Sequence, residues 1–158
     1  MIPTEIKSVL DDVRRTAPVD ILTAAKRLGV NVFSAKLAKK VSGILLRDTS
    51  YGSESGFVIF VDADEPPYRQ RFTAAHELGH FVLHKDQVGE RNEDNYLLRS
   101  ENMSNRQEVE ANKFAAELLM PMDLIEAEME AGNTTVSGLA STFEVSLTAM
   151  SIRLGLPT

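Results

Sequence analysis

Hydrophobic positions recur at helical spacing across residues 4–28: Ile6, Val9, Leu10 and Val13, then Ile21, Leu22, Ala25 and Leu28. Pro18 separates the two runs. Asp20 or Pro18 can open the second and Gly29 can close it, which predicts two short helices. The rhythm then changes. Residues 30–33 form a brief apolar run, residues 41–46 carry Val41, Ile44, Leu45 and Leu46, and residues 57–62 read FVIFVD. β-branched and aromatic side chains at this density predict strands. The turn-rich TSYGSESG before the last run predicts an antiparallel hairpin over residues 41–62. Pro66 and Pro67 then break the chain ahead of a helix.

From Arg69 the pattern is helical again. RQRFTAAHELGHFVLH places Thr73, His76, His80 and His84 on one side, flanked by Phe72 and Leu83. Ala74, Ala75, Leu78, Phe81 and Val82 point elsewhere. This predicts a buried helix with one polar stripe. Gly79 costs helix stability and suits a close approach of another backbone. Residues 85–103 read as a long polar surface loop, with Leu97 and Leu98 as a possible anchor. Ser104 can cap a helix over residues 105–120, stopped by Pro121. A further helix spans 122–131, closed by Gly132. Two short helices, 136–143 and 147–154, meet around Glu144-Val145-Ser146. The expected fold class is α+β, a small sheet of about three strands flanked by helices, with a short C-terminal helical pair.

Composition narrows the classes. A chain of 158 residues is one ordinary domain. It has no cysteine, which excludes disulfides and thiolate metal sites. Its net charge of −6 disfavours non-specific binding to nucleic acid. The start MIPTEIKSVLDDVRR lacks a signal-peptide pattern, and no apolar stretch is long enough for a bilayer. The expected compartment is the cytoplasm.

The polar stripe contains His76-Glu77-Leu78-Gly79-His80, an H-E-x-x-H pattern. Four residues is little more than one turn, so the two imidazoles project side by side and can share one metal ion, usually zinc. Oxygen and nitrogen ligands also admit manganese or iron. Glu77 lies about 100° round the helix from His76. That is too far to join the ligands, and well placed to act as general base on a water beside the ion.

A third protein ligand is expected. His84 lies one further turn along a straight helix, and three successive turns cannot converge on one ion. It is expected beside the site. On the next helix, Ala111, Phe114, Ala115, Leu118 and Leu119 form the apolar face. Glu108 falls within that face, while Glu110, Lys113 and Glu117 fall outside it. A carboxylate aimed into a core needs a charge partner, which a metal, Arg69 or Arg71 could supply. Asn112 could hydrogen-bond a ligating histidine and fix its orientation.

FTAAHELGHFVLH followed by EVEANKFAAELLMP resembles the ImmA/IrrE family of metallopeptidases, from about Val19 through Pro121. The resemblance implies zinc on His76, His80 and Glu108, with Glu77 as the catalytic acid/base. Residues 1–132 are expected to form the zinc metallopeptidase domain, and the rhythm of residues 133–158 is that of a helix-turn-helix-like segment packed on it. The resemblance also implies a bacterial or phage cytosolic protein that cleaves a helix-turn-helix repressor and so relieves repression.

The last segment offers only Thr148, Ser151 and Arg153 to a DNA groove, so no direct nucleic-acid binding is expected. Two alternatives remain open: a DNA-binding regulator with a structural metal, and an adaptor that binds a repressor without cutting it. Candidates for stabilising an oxyanion are His84, Tyr68 and Tyr96. The edge of the 57–62 strand is expected to pair with an extended substrate.

Overall fold

The structure is a computed structural model that describes residues 1–88 and 103–157. Predictions for Tyr96, Leu97, Leu98 and most of the 85–103 loop lie outside those residues.

Helix α1 (Thr4–Leu10) is followed by a 3-10 turn (Val13–Arg15) and helix α2 (Ile21–Arg27). The Asp20 carboxylate caps α2 by accepting from the Thr23 N–H. At its other end Gly29 takes φ +82°, and Val30 N–H bonds back to Ala25 O at 2.9 Å. That left-handed turn is the helix stop expected at Gly29. Val9 and Leu22 are exposed although they fit the helical repeat.

Three strands follow: β1 (Asn31–Ala35), β2 (Gly43–Arg47) and β3 (Phe57–Asp62). The sheet order is β1-β3-β2. β2 and β3 form the expected antiparallel pair with Leu45 opposite Ile59, and β1 runs parallel to β3. β3 is therefore central. Both of its edges are taken, so the expectation that its edge receives a substrate is wrong; the edge strands are β1 and β2. Side chains of β3 alternate. Phe57, Ile59 and Val61 join the main core, while Val58 joins a smaller cluster with Ile44 and Leu46, against which Val41, Tyr51 and Phe60 pack.

Helix α3 (Pro67–His84) lies on the main-core face of the sheet and packs against β2, β3 and helix α4 (Asn105–Leu119). Ala74, Ala75, Leu78 and Phe81 are buried in the common core. α4 begins with a capping box: Ser104 Oγ accepts from Gln107 N–H, and Gln107 Oε1 accepts from Ser104 N–H. Its buried residues are Ala111, Phe114, Ala115, Leu118 and Leu119, the face read from the periodicity. Each such large side chain contributes about 1.5–3 kcal/mol on full burial.

Helices α5 (Met122–Glu130), α6 (Val136–Phe143) and α7 (Leu147–Arg153) complete the chain. Leu139, Phe143, Val145 and Met150 belong to the same core as α3 and α4. Two arginines tie this segment down. Arg71 of α3 donates to the carbonyl oxygens of Val19, Phe143 and Glu144, and Arg153 Nε donates to Met120 O at 2.9 Å. Among the described residues, no helix is long and apolar enough to cross a membrane.

Candidate metal centre

The site forms where α3 and α4 cross, and Gly79 permits the crossing. A Cβ there would lie 3.1 Å from both Ala111 O and Phe114 Cβ. The missing side chain lets α4 lie close against α3 beside the histidine stripe, which brings Glu108, in the first turn of α4, within reach of His76 and His80.

Glu108 Oε1 is 2.7 Å from His80 Nε2, and Glu108 Oε2 is 3.1 Å from His76 Nε2. The two histidine Nε2 atoms are 3.1 Å apart. One ligand atom from each of the three residues fits within a span of 4.8 Å, compact enough for a single ion. Neither arginine weighed as a partner for Glu108 takes that part. Arg69 pairs with Glu65, and Arg71 is spent on the carbonyl oxygens named above. Glu108 is 43% exposed, so its position on the apolar face opens into a cleft and not into the core.

The hydrogen-bond partners decide which ring nitrogens carry protons. Asn112 Oδ1 lies 2.7 Å from His76 Nδ1 and can only accept. His76 therefore carries its proton on Nδ1, leaving a lone pair on Nε2. On the other side, Glu110 Oε1 is 2.9 Å from His84 Nε2, and His84 Nδ1 is 3.0 Å from His80 Nδ1. Its bond to His84 holds the Glu110 carboxyl below the usual carboxylate range, so Glu110 is an acceptor. A neutral His84 then donates from Nε2 and accepts on Nδ1. His80 donates from Nδ1 and is left with a lone pair on Nε2. Burial first, then the neighbouring His76 and His84, depress the His80 pKa to about 3, so its ring is neutral near pH 7.

Two imidazole nitrogens and a carboxylate thus face one point. A cation among them would satisfy all three ligand atoms at once. Nitrogen and oxygen donors of this kind fit a divalent ion such as zinc, manganese or iron.

Glu77 is 6% exposed and lines the same cleft, of about 380 Å³, with His76, Glu108 and Asn112. The opposite wall is the segment leading into β2: Lys40, Val41, Ser42 and Gly43. A Cβ at Gly43 would collide with Thr73 Cγ2 and come 3.4 Å from Glu77 Cγ, so glycine keeps this wall against α3 without filling the cleft.

Sequence reasoning missed two parts of the site. One is Glu110, which stands outside the apolar face of α4 yet reaches His84. A histidine stripe at i, i+4 and i+8 facing E-x-E is the signal that points to it. The other is the wall formed by residues 40–43, which no local pattern marks. His84 is buried with both ring nitrogens engaged, which removes it from the oxyanion candidates. Tyr68 lies in a neighbouring groove.

No curated protein matches the sequence. The fold is similar to that of a solved Mycobacterium tuberculosis transcriptional regulator, with a TM-score of 0.54 at 17% sequence identity. The match covers 96% of this chain and 51% of the regulator, so this chain spans about half the length of that protein. The peptidase family profile described as the IrrE N-terminal-like domain matches residues 25–155, which takes in the sheet, both site helices and the C-terminal pair. By that match the chain belongs to the IrrE N-terminal-like, metallopeptidase-like family.

Proposed function

We propose that this protein is a zinc-dependent endopeptidase that cleaves a helix-turn-helix transcriptional repressor and so relieves repression in a stress or mobile-element response. The observation that carries the reading is the convergence of ligand atoms from His76, His80 and Glu108 in a cleft that Glu77 also lines. Family membership and the fold shared with a transcriptional regulator support it.

An ion held by His76, His80 and Glu108 would supply Lewis acidity toward a peptide carbonyl. The rest falls to the chain. Glu77 accepts the proton of the attacking water and returns it to the leaving amine. Its burial in the cleft beside the ligand pair supports that role. Asn112 and His84 hold the rings of His76 and His80 in the tautomers that leave Nε2 free. β2 is the sheet edge whose start borders the cleft, so an extended substrate would lie along residues 40–43 and not along β3.

Direct DNA reading is left to the substrate. Arg153, the basic residue of α7, is committed to Met120 O, and phosphate contact depends on free Lys and Arg. The cytoplasm is the compartment in which such a substrate would be met.

The test is to incubate the protein with a helix-turn-helix repressor, with and without chelator. Metal-dependent cutting at one or a few sites is expected. Stable binding with no cut under any condition would leave the adaptor reading in its place.

A further inference from the structure

Beside the metal cleft lies a second, larger hollow of about 650 Å³ between α3, α4 and α7. The two share Phe72, Thr73 and Asn112, so they lie side by side along α3 and α4. Its apolar lining includes Tyr68, Val109, Met120 and Ile152. Val109 is 50% exposed and Ile152 is 64% exposed, high values for large apolar side chains facing a shared hollow. Its charged lining is of one sign. Among the described residues Arg69, Lys113 and Arg153 border it and no Asp or Glu does, although Arg69 also pairs with Glu65, Arg153 donates to Met120 O and the chain as a whole carries −6.

We propose that this groove is the specificity subsite of the peptidase. It takes the stretch of substrate polypeptide next to the scissile bond, with a bulky apolar side chain between Val109 and Ile152. Acidic side chains of the same stretch lie toward Arg69 and Lys113. The assignment of a polypeptide occupant rests on the endopeptidase reading, since a chain cleaved beside Glu77 must leave the cleft in some direction. The hollow that adjoins the cleft across Phe72, Thr73 and Asn112 offers one. The volume lies within the range of about 300–1,000 Å³ that buries ligands well. A cleft lined by one sign of charge concentrates the opposite sign. The C-terminal helix thereby acquires a role: its Thr148, Ala149 and Ile152 form a wall of the hollow.

The probes are fluorescein-labelled dodecapeptides carrying a central Leu or Phe beside either Asp-Glu or Lys-Lys. Binding is read by anisotropy and cutting by mass spectrometry, on the full zinc-loaded chain. The wild type should bind and cut the acidic–apolar peptides in preference. Ile152→Asp should weaken that binding by at least about tenfold, the scale of a lost apolar pocket contact, while Ile152→Val should not. The Arg69→Glu, Lys113→Glu double variant should shift preference toward the Lys-Lys peptides. All these side chains are largely exposed, and unchanged melting and zinc content would show the variants folded. Peptide cutting with every variant indistinguishable from wild type overturns the subsite and leaves the endopeptidase reading intact. Binding that responds as expected but without cutting keeps the groove and removes the endopeptidase. Neither binding nor cutting overturns both.

Discussion

His84 Nδ1 stands 3.0 Å from His80 Nδ1, on the side of the His80 ring away from Glu108. With Glu110 behind it, His84 completes a chain from carboxylate to ring to ring that ends at the His80 Nε2 lone pair. Each link orients the next.

Removing the middle link should therefore weaken metal binding without removing a ligand. His84→Leu is expected to lower zinc affinity by about 10–100-fold, the usual cost of losing a hydrogen-bond partner behind a ligating histidine. His84→Gln can accept from His80 and donate to Glu110, and should recover most of the loss. Competition against a fluorescent chelator measures both. Equal affinities for wild type and His84→Leu would show that the chain does not position His80.

Glu108→Ala should purify without metal, because two histidines alone do not hold a catalytic ion. Glu110→Ala should keep about one equivalent at saturating zinc. So should Glu117→Ala, whose carboxylate instead accepts from the Ile2 N–H. Elemental analysis decides the matter, and a full equivalent in the Glu108 variant would overturn the ligand assignment.

Glu77→Gln preserves shape and removes the proton acceptor. Folding and metal content should be unchanged and cleavage should fall at least about a hundredfold. Full activity in this variant would make general-base hydrolysis by Glu77 untenable.

The His80 shift predicts a pH dependence for the metal-free protein. In the unfolded chain a histidine takes up its proton near pH 6.5, whereas in the fold His80 resists until about 3. Between those values the unfolded state binds more protons, so the stability linked to His80 is complete above about 6.5 and is lost as pH falls toward 3. Urea midpoints in chelator at pH 7.5 and pH 5 should drop more for the wild type than for His80→Gln. Parallel drops would contradict a buried neutral His80.

Much of this molecule was settled by sequence alone, because the features concerned are local. The His76–Glu77–His80 spacing, the Ser104 cap, the apolar face of α4 and the stop at Gly29 depend on neighbours within a turn or two. Even the close approach at Gly79 was legible, since a glycine inside a buried helix has few other uses. What the tertiary structure decided is long-range. A dense run of β-branched and aromatic residues marks β3 as a strand but cannot say that β1 will pair parallel to one edge while β2 takes the other. Helix angles place Glu110 outside the apolar face of α4, yet only the crossing of two helices brings it to His84. Arg153 reads in the chain as the one basic side chain available to a nucleic-acid groove; in the fold it holds the end of α4 through Met120 O. In each case the deciding quantity is which surface meets which, and periodicity along a chain carries no information about the partner across a gap.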